Sequence, residues 1–221
     1  TVAQILLTRA DLANRRRYLN ARNALNAIIA QRVVPIINEN DTVATEEIRV
    51  GDNDNLSALV ANLIDADTLI LLTDQSGLFT ADPRTNPDAQ LVTDVTTPDI
   101  PDSVWEAAGG ARSGLGTGGM ITKIQAADLA RRSGVSVLIA SGNESNIVTR
   151  LVAGEKLGTR FHPVATSVEG RKRYILTGGA SGSISVDDGA ARALARGGSL
   201  LPVGVTRIEG EFDRGDTVCV I

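Results

Sequence analysis

A single cysteine, Cys219, and a single histidine, His162, stand in a chain of 221 residues. That scarcity excludes disulfides, CxxC redox chemistry, zinc centres built from cysteine and histidine, and nucleophilic couples that need an imidazole base. Any metal must therefore be held by oxygen ligands. No apolar run approaches the ~20 residues that cross a bilayer. Nor does an apolar core follow a basic head at the amino terminus, so neither a membrane span nor a signal peptide is expected, and the cytoplasm is the expected location. A formal charge of −4 argues against non-specific nucleic-acid binding by the whole chain. What is present, 43% apolar and 22% charged residues, is the composition of a soluble globular protein. The length suits one large domain, or a medium domain with a small appendage. The chain begins at Thr1 and enters the apolar run of residues 2–7 at once, the pattern of a chain cut from something longer.

Apolar residues alternate between two periods. Tyr18, Ala21, Leu25, Ile28 and Ile29 recur at helical spacing, which predicts a long amphipathic helix over residues 11–32. Residues 33–37 read as a short strand running into the polar stretch Asn38-Glu39-Asn40-Asp41. Leu56, Leu59, Val60, Leu63 and Ile64 predict a second helix, with Asp52, Asn53 or Asp54 suited to cap its start. Residues 68–72 form a continuous apolar run, the pattern of a strand covered on both faces. A short helix is expected within residues 98–108, carrying Trp105. A further helix is expected over 121–132, closed by Gly134, and a buried strand over 135–140. Alternating strands and helices imply a parallel α/β sheet, whose ligands gather at the carboxyl ends of the strands. Those ends are Asn38 to Asp41, Thr73-Asp74 and Ser141-Gly142. After Arg171 short strand-like runs dominate, at 174–176, 183–186, 205–208 and 217–220, with one helix over 189–196. The expected organisation is an α/β domain over 1–162, a linker over 163–170 and a small β-rich domain over 171–221.

Four sets of residues are candidates for chemistry. The stretch Gly114-Leu115-Gly116-Thr117-Gly118-Gly119-Met120-Ile121-Thr122-Lys123 leads into a helix whose unpaired N–H groups and positive dipole end suit a phosphate, with Lys123 to neutralise charge. The same residues also admit a surface-loop reading. They match the dinucleotide pattern Gly114-x-Gly116-x-x-Gly119 too, although no strand precedes it as that fingerprint requires. The polar clusters Asn38 to Asp41 and Gly51-Asp52-Asn53-Asp54-Asn55 offer carboxylates and amides to grip an ammonium, orient a lysine or hold Mg²⁺ through water, or else simply cap the following helix. No protein ligand for a metal is assigned. Thr73-Asp74 ends a strand, as a nucleotide contact or as a turn. The triplet Arg171-Lys172-Arg173 is either a solvated face or an RNA contact.

Four segments taken in order resemble the amino acid kinase family: Pro35-Ile36-Ile37-Asn38-Glu39-Asn40-Asp41, Gly51 to Leu59, Leu72-Thr73-Asp74-Gln75 with Gly77-Leu78 and Thr80 to Arg84, and Gly116 to Lys123. The region after Arg171 resembles a PUA domain, through Val186-Asp187-x-Gly189-Ala190 and Ser199-Leu200-Leu201-Pro202-x-Gly204. The resemblance implies a parallel-sheet kinase fold with a small β-rich PUA-like domain. It also implies phosphoryl transfer from ATP to the side-chain carboxylate of L-glutamate, the first step of proline biosynthesis, with Mg²⁺ bridging phosphates. It puts Asp41 and Asn53 on glutamate. Thr73, Asp74, Thr117, Gly118, Gly119, Met120, Ile121, Thr122 and Lys123 would contact ATP, Lys123 would stabilise the moving phosphoryl group, and Asp54 would orient lysine. Proline as feedback inhibitor, acting near residues 40–52, and a homo-oligomer built through the kinase domain are further implications. The family's amino-terminal segment, with a glycine turn, a lysine and a Gly-Ser turn that helps to bind glutamate, is not among these residues. A PUA barrel is expected to run on past Ile221. The chain is thus expected to hold most of the family's motifs and to lack groups needed for turnover. The alternatives are an RNA-binding PUA-containing module and an inactive assembly fragment.

Overall fold

The computed structural model describes residues 1–43, 53–109, 119–164, 182–212 and 218–221. The chain divides into two compact units, Thr1–Gly170 and Arg171–Ile221. Of the expected linker, residues 165–170 lie outside the described residues, as do the expected strand at 174–176 and the basic triplet.

The first unit opens with β1 (Val2–Leu7), α1 (Arg9–Ala13), α2 (Arg15–Ala30) and β2 (Val34–Glu39). The single helix expected over 11–32 is therefore two. Thr8 closes a capping box with Asp11 at the start of α1. Asn14 then adopts an extended backbone, and its side-chain oxygen accepts from the Arg16 and Arg17 N–H groups, which ends one helix and starts the next. β1 and β2 pair in parallel. Val2, Leu6, Val34 and Ile36 lie on one face of this pair and are exposed, Val34 at 61% and Ile36 at 55%.

α3 (Asn53–Leu63) leads to β3 (Thr68–Thr73); β4 (Asp94–Val95), α4 (Asp102–Ala107), α5 (Met120–Arg131), β5 (Ser136–Ser141), α6 (Ile147–Val152) and β6 (Thr159–Phe161) follow. Their sheet has the order β3-β5-β6-β4. β3 and β5 are parallel, whereas β6 runs antiparallel to β5. Gly158, just before β6, has φ +73°, and a Cβ there would stand 2.1 Å from the Ile139 carbonyl oxygen, so only glycine lets β6 approach β5 this closely. The core lies between this sheet and the helices, with Leu71, Trp105, Ile124, Val137, Ile139 and Phe161 at its centre. Arg131, wholly buried at the end of α5, donates to the Thr97 carbonyl oxygen.

The β5 run is buried as expected, but β3 is not covered on both faces, since Leu72 is 44% exposed. The reason is position: β3 is an edge strand of its sheet, as β2 is of the two-stranded one. α3 packs on both β2 and β3. A cleft of ≈ 440 Å³ opens between the two strands, with Pro35 and Ile37 on one wall, Leu69 on the other, and Leu56, Val60 and Ile64 from α3.

In the second unit β7 (Gly182–Val186) is central, antiparallel to β8 (Val205–Gly210) and parallel to β9 (Val218–Val220), with α7 (Asp188–Ala195) between β7 and β8. Asp187 caps α7 through the Ala190 N–H, and its own N–H donates to the Gly204 carbonyl oxygen at 3.0 Å. That bond joins the two segments on which the PUA resemblance rests. No described helix is long and apolar enough to cross a membrane.

Candidate functional site

Two helix starts converge to build the site. α3 and α5 pack against each other, which places Asp54, in the first turn of α3, beside Lys123, in the first turn of α5. The Lys123 ammonium donates to both oxygens of the Asp54 carboxylate at 3.0 Å. Both side chains are largely buried, 15% and 19% exposed, so this pair is screened far less than a surface one. Thr122 adds a third hydrogen bond to the same carboxylate, from its hydroxyl to Oδ2 at 2.8 Å, and that hydroxyl also lies 2.9 Å from the Gly119 carbonyl oxygen.

α5 begins without a side-chain cap. Gly119 stands at the N-cap with φ +90° and ψ −157°, a backbone that favours glycine. A helix start leaves its first N–H groups without intrahelical acceptors, and the dipole adds partial positive charge, beside a Lys123 ammonium whose charge Asp54 balances. It shares a cavity with the carboxyl end of β3, which pairs in parallel with β5. There the Thr73 hydroxyl donates to Asp74 at 3.1 Å, and the Gly142 N–H donates to the Thr73 carbonyl oxygen at 2.7 Å. A cavity of ≈ 740 Å³ lies between these parts, lined among others by Thr73, Asp74, Gly119, Met120 and Lys123. Its size and its position at strand ends suit a nucleotide-sized ligand.

The expected residues fall into groups. Thr73, Asp74, Gly119, Met120 and Lys123 share the cavity, and Asp54 touches it through Lys123. Ile121 and Thr122 are buried, 7% and 0% exposed, and neither lines the cavity. Asn53 lies on the other cleft, between β2 and β3. Asp41 is exposed in the turn after β2 and lines neither cleft. Thr117 and Gly118 lie outside the described residues.

Two stretches of wall come from residues that motif reading left unassigned. Residues 78–84 curve along the cavity, and there Arg84 donates twice to Asp82 from its side chain, at 3.0 Å each, and once from its backbone at 2.9 Å. These hydrogen bonds from Arg84 hold the Asp82 carboxyl below the usual carboxylate range. The second stretch is Glu106 to Gly109 at the end of α4. The first carried a usable signal, Asp82-Pro83-Arg84 closely following Thr73-Asp74; the second carried none. Among the described residues no group of three acidic, histidine or cysteine side chains is placed to hold a metal ion. A divalent cation here would be coordinated chiefly by ligand phosphates and water, as Mg²⁺ commonly is.

The profile of the amino acid kinase family matches residues 1–141, and that of the PUA domain matches residues 182–221. The chain is 56% identical over 222 residues to a glutamate 5-kinase of Shewanella oneidensis, covering 100% of this chain and 59% of that protein. It is also 56% identical over 218 residues to one of Sodalis glossinidius, covering 98% and 59%. The chain thus spans 59% of the length of these curated relatives. Among solved structures it is similar to the UMP kinase of Ureaplasma parvum, with TM-score 0.45 and 15% identity over 64% of this chain and 52% of that one.

Proposed function

The chain belongs to the amino acid kinase family, and on that premise we propose that it is part of a glutamate 5-kinase. The enzyme transfers the terminal phosphoryl group of ATP to the side-chain carboxylate of L-glutamate, forming glutamyl 5-phosphate at the first step of proline biosynthesis. The observation that carries this reading is the Asp54–Lys123 pair at the uncapped start of α5, opening on a nucleotide-sized cavity beneath Thr73-Asp74.

The chemistry asks little of the protein beyond position and charge. A carboxylate acceptor is already ionised at neutral pH, so the step needs no general base, consistent with a cavity wall built without histidine. Thr73, Asp74 and the backbone at the start of α5 hold ATP, while Lys123 follows the charge that moves onto the transferring phosphoryl group. Asp54 fixes where the lysine can be. Mg²⁺, held chiefly by the phosphates and water, would supply positive charge that lowers their repulsion toward the incoming carboxylate. Asp41 and Asn53 take glutamate. Proline inhibition is assigned to residues 40–52, of which 44–52 lie outside the described residues, and assembly to the kinase domain. The enzyme is assigned to the cytoplasm, and turnover to a full-length form; this chain corresponds to 59% of the curated relatives' length. RNA binding by the PUA region is not favoured, since its one motivating feature, the triplet Arg171-Lys172-Arg173, also fits a solvated face.

Titration calorimetry with MgATP tests the binding half of the reading directly on this chain. Saturable binding at one site, weakened about tenfold or more by Lys123→Ala, is expected for loss of a charged phosphate contact. No binding at millimolar nucleotide would sink it. Hydroxamate formation from glutamate, ATP and hydroxylamine tests the transfer half in a full-length form.

A further inference from the structure

We propose that Thr122 is a positioning residue that sets how tightly Asp54 holds Lys123. Its side chain is 0% exposed, so it touches no ligand. Yet its hydroxyl does not stay within its own helix: it crosses to α3 and meets Asp54 Oδ2 at 2.8 Å, the oxygen that also accepts from Lys123 at 3.0 Å. A second acceptor, the Gly119 carbonyl oxygen, lies 2.9 Å away.

A hydroxyl has one proton to give. Given to Asp54, it takes up part of the carboxylate's accepting capacity and loosens the grip on the Lys123 ammonium. Given to Gly119, it leaves Asp54 to the lysine alone. The two acceptors therefore compete for a single donor, and the backbone of the residue that opens α5 is coupled through Thr122 to the charge pair behind it. For the kinase reading, on which only this purpose rests, the arrangement keeps Asp54 hydrogen-bonded while the ammonium turns from its resting partner toward a phosphoryl group. The hydrogen bonds themselves do not depend on that reading.

Amine acetylation measures the grip without nucleotide or turnover. The sequence has three lysines, Lys123, Lys156 and Lys172, and exposed Lys156 serves as an internal reference. With sulfo-N-hydroxysuccinimide acetate and peptide mass spectrometry, Thr122→Val is expected to slow labelling of Lys123 relative to Lys156 by about three- to tenfold, the worth of one net hydrogen bond. Thr122→Ser keeps the hydroxyl and is expected to label as the parent chain does. Equal labelling of the valine variant and the parent, or faster labelling in the valine variant, overturns the assignment, as does failure of serine to restore the rate. Adding MgATP separates the two ideas. If nucleotide leaves Lys123 unprotected while the valine effect persists, the nucleotide reading fails and the role of Thr122 stands.

Discussion

Lys123 donates to both carboxylate oxygens of Asp54 at 3.0 Å from a position 69 residues further along the chain. Each removes the other's need for water in a largely buried place, so deleting either alone leaves an uncompensated charge. Asp54→Ala and Lys123→Ala are each expected to destabilise the first unit, and the double variant to cost less than the sum. A coupling of about 1–3 kcal/mol in urea denaturation is the expected result, below the range for fully buried pairs because some solvent reaches both groups. Strict additivity would mean that the pair contributes nothing to the packing of α3 on α5.

Two glycines separate backbone conformation from steric closeness. Gly154 and Gly158 both have positive φ, +89° and +73°, but a Cβ at Gly154 meets nothing within 4 Å, whereas one at Gly158 meets the Ile139 carbonyl oxygen at 2.1 Å. Gly154→Ala should cost about 1 kcal/mol, the penalty for an L side chain in that region. Gly158→Ala should cost more than about 3 kcal/mol, because β6 must also move off β5. Thermal or urea melts of the two variants side by side decide the point. Similar losses would show that β6 shifts without effort.

The exposed pair Asp94–His162 gives a small acid-side dependence. Its 2.8 Å contact joins β4 to the end of β6, and the hydrogen bond from His162 holds the Asp94 carboxyl below its ordinary value. A carboxyl lowered in the folded state contributes stability above its unfolded value, and that contribution is lost as pH falls through the folded one. Asp94→Asn is therefore expected to be less stable than the parent at pH 6, by under about 1 kcal/mol because solvent screens the pair, and the difference to shrink as pH falls through and below the carboxylate range. A difference that persisted unchanged at pH 3 would locate the effect in packing.

The bare face of β1 and β2 predicts self-association. Parallel strands are normally covered on both faces, and here Val34 and Ile36 are more than half exposed. Replacing both by threonine keeps the β-branched shape and is expected to shift sedimentation toward smaller species, with stability altered by under about 1 kcal/mol. An unchanged distribution would mean that this face does not mediate contacts between copies.

Much of the fold was legible because helix and strand periods differ, and the runs from Leu56 to Ile64 and from Val135 to Ala140 follow theirs closely. Asn14 was not legible as a break, since a cap competes with helix continuation through a side-chain hydrogen bond that periodicity does not register. The exposure of Leu72 depends on which strand is its neighbour, a fact of topology. At the site, Lys123, Thr73 and Asp74 stand out as polar groups at helix starts and strand ends. The partnership of Asp54 with Lys123 has no local signal, because it exists only once α3 lies against α5. Thr122 reads in the sequence as one more ATP contact, and only its burial and its reach to Asp54 give it a different role.

α3 ties three elements together. It packs on β2, on β3 and along α5, and it carries Asp54 at one end. β2 and β3 belong to different sheets with the cleft between them, and α3 is the helix packed on both. A ligand in that cleft would touch the same helix whose first turn holds Asp54 against Lys123.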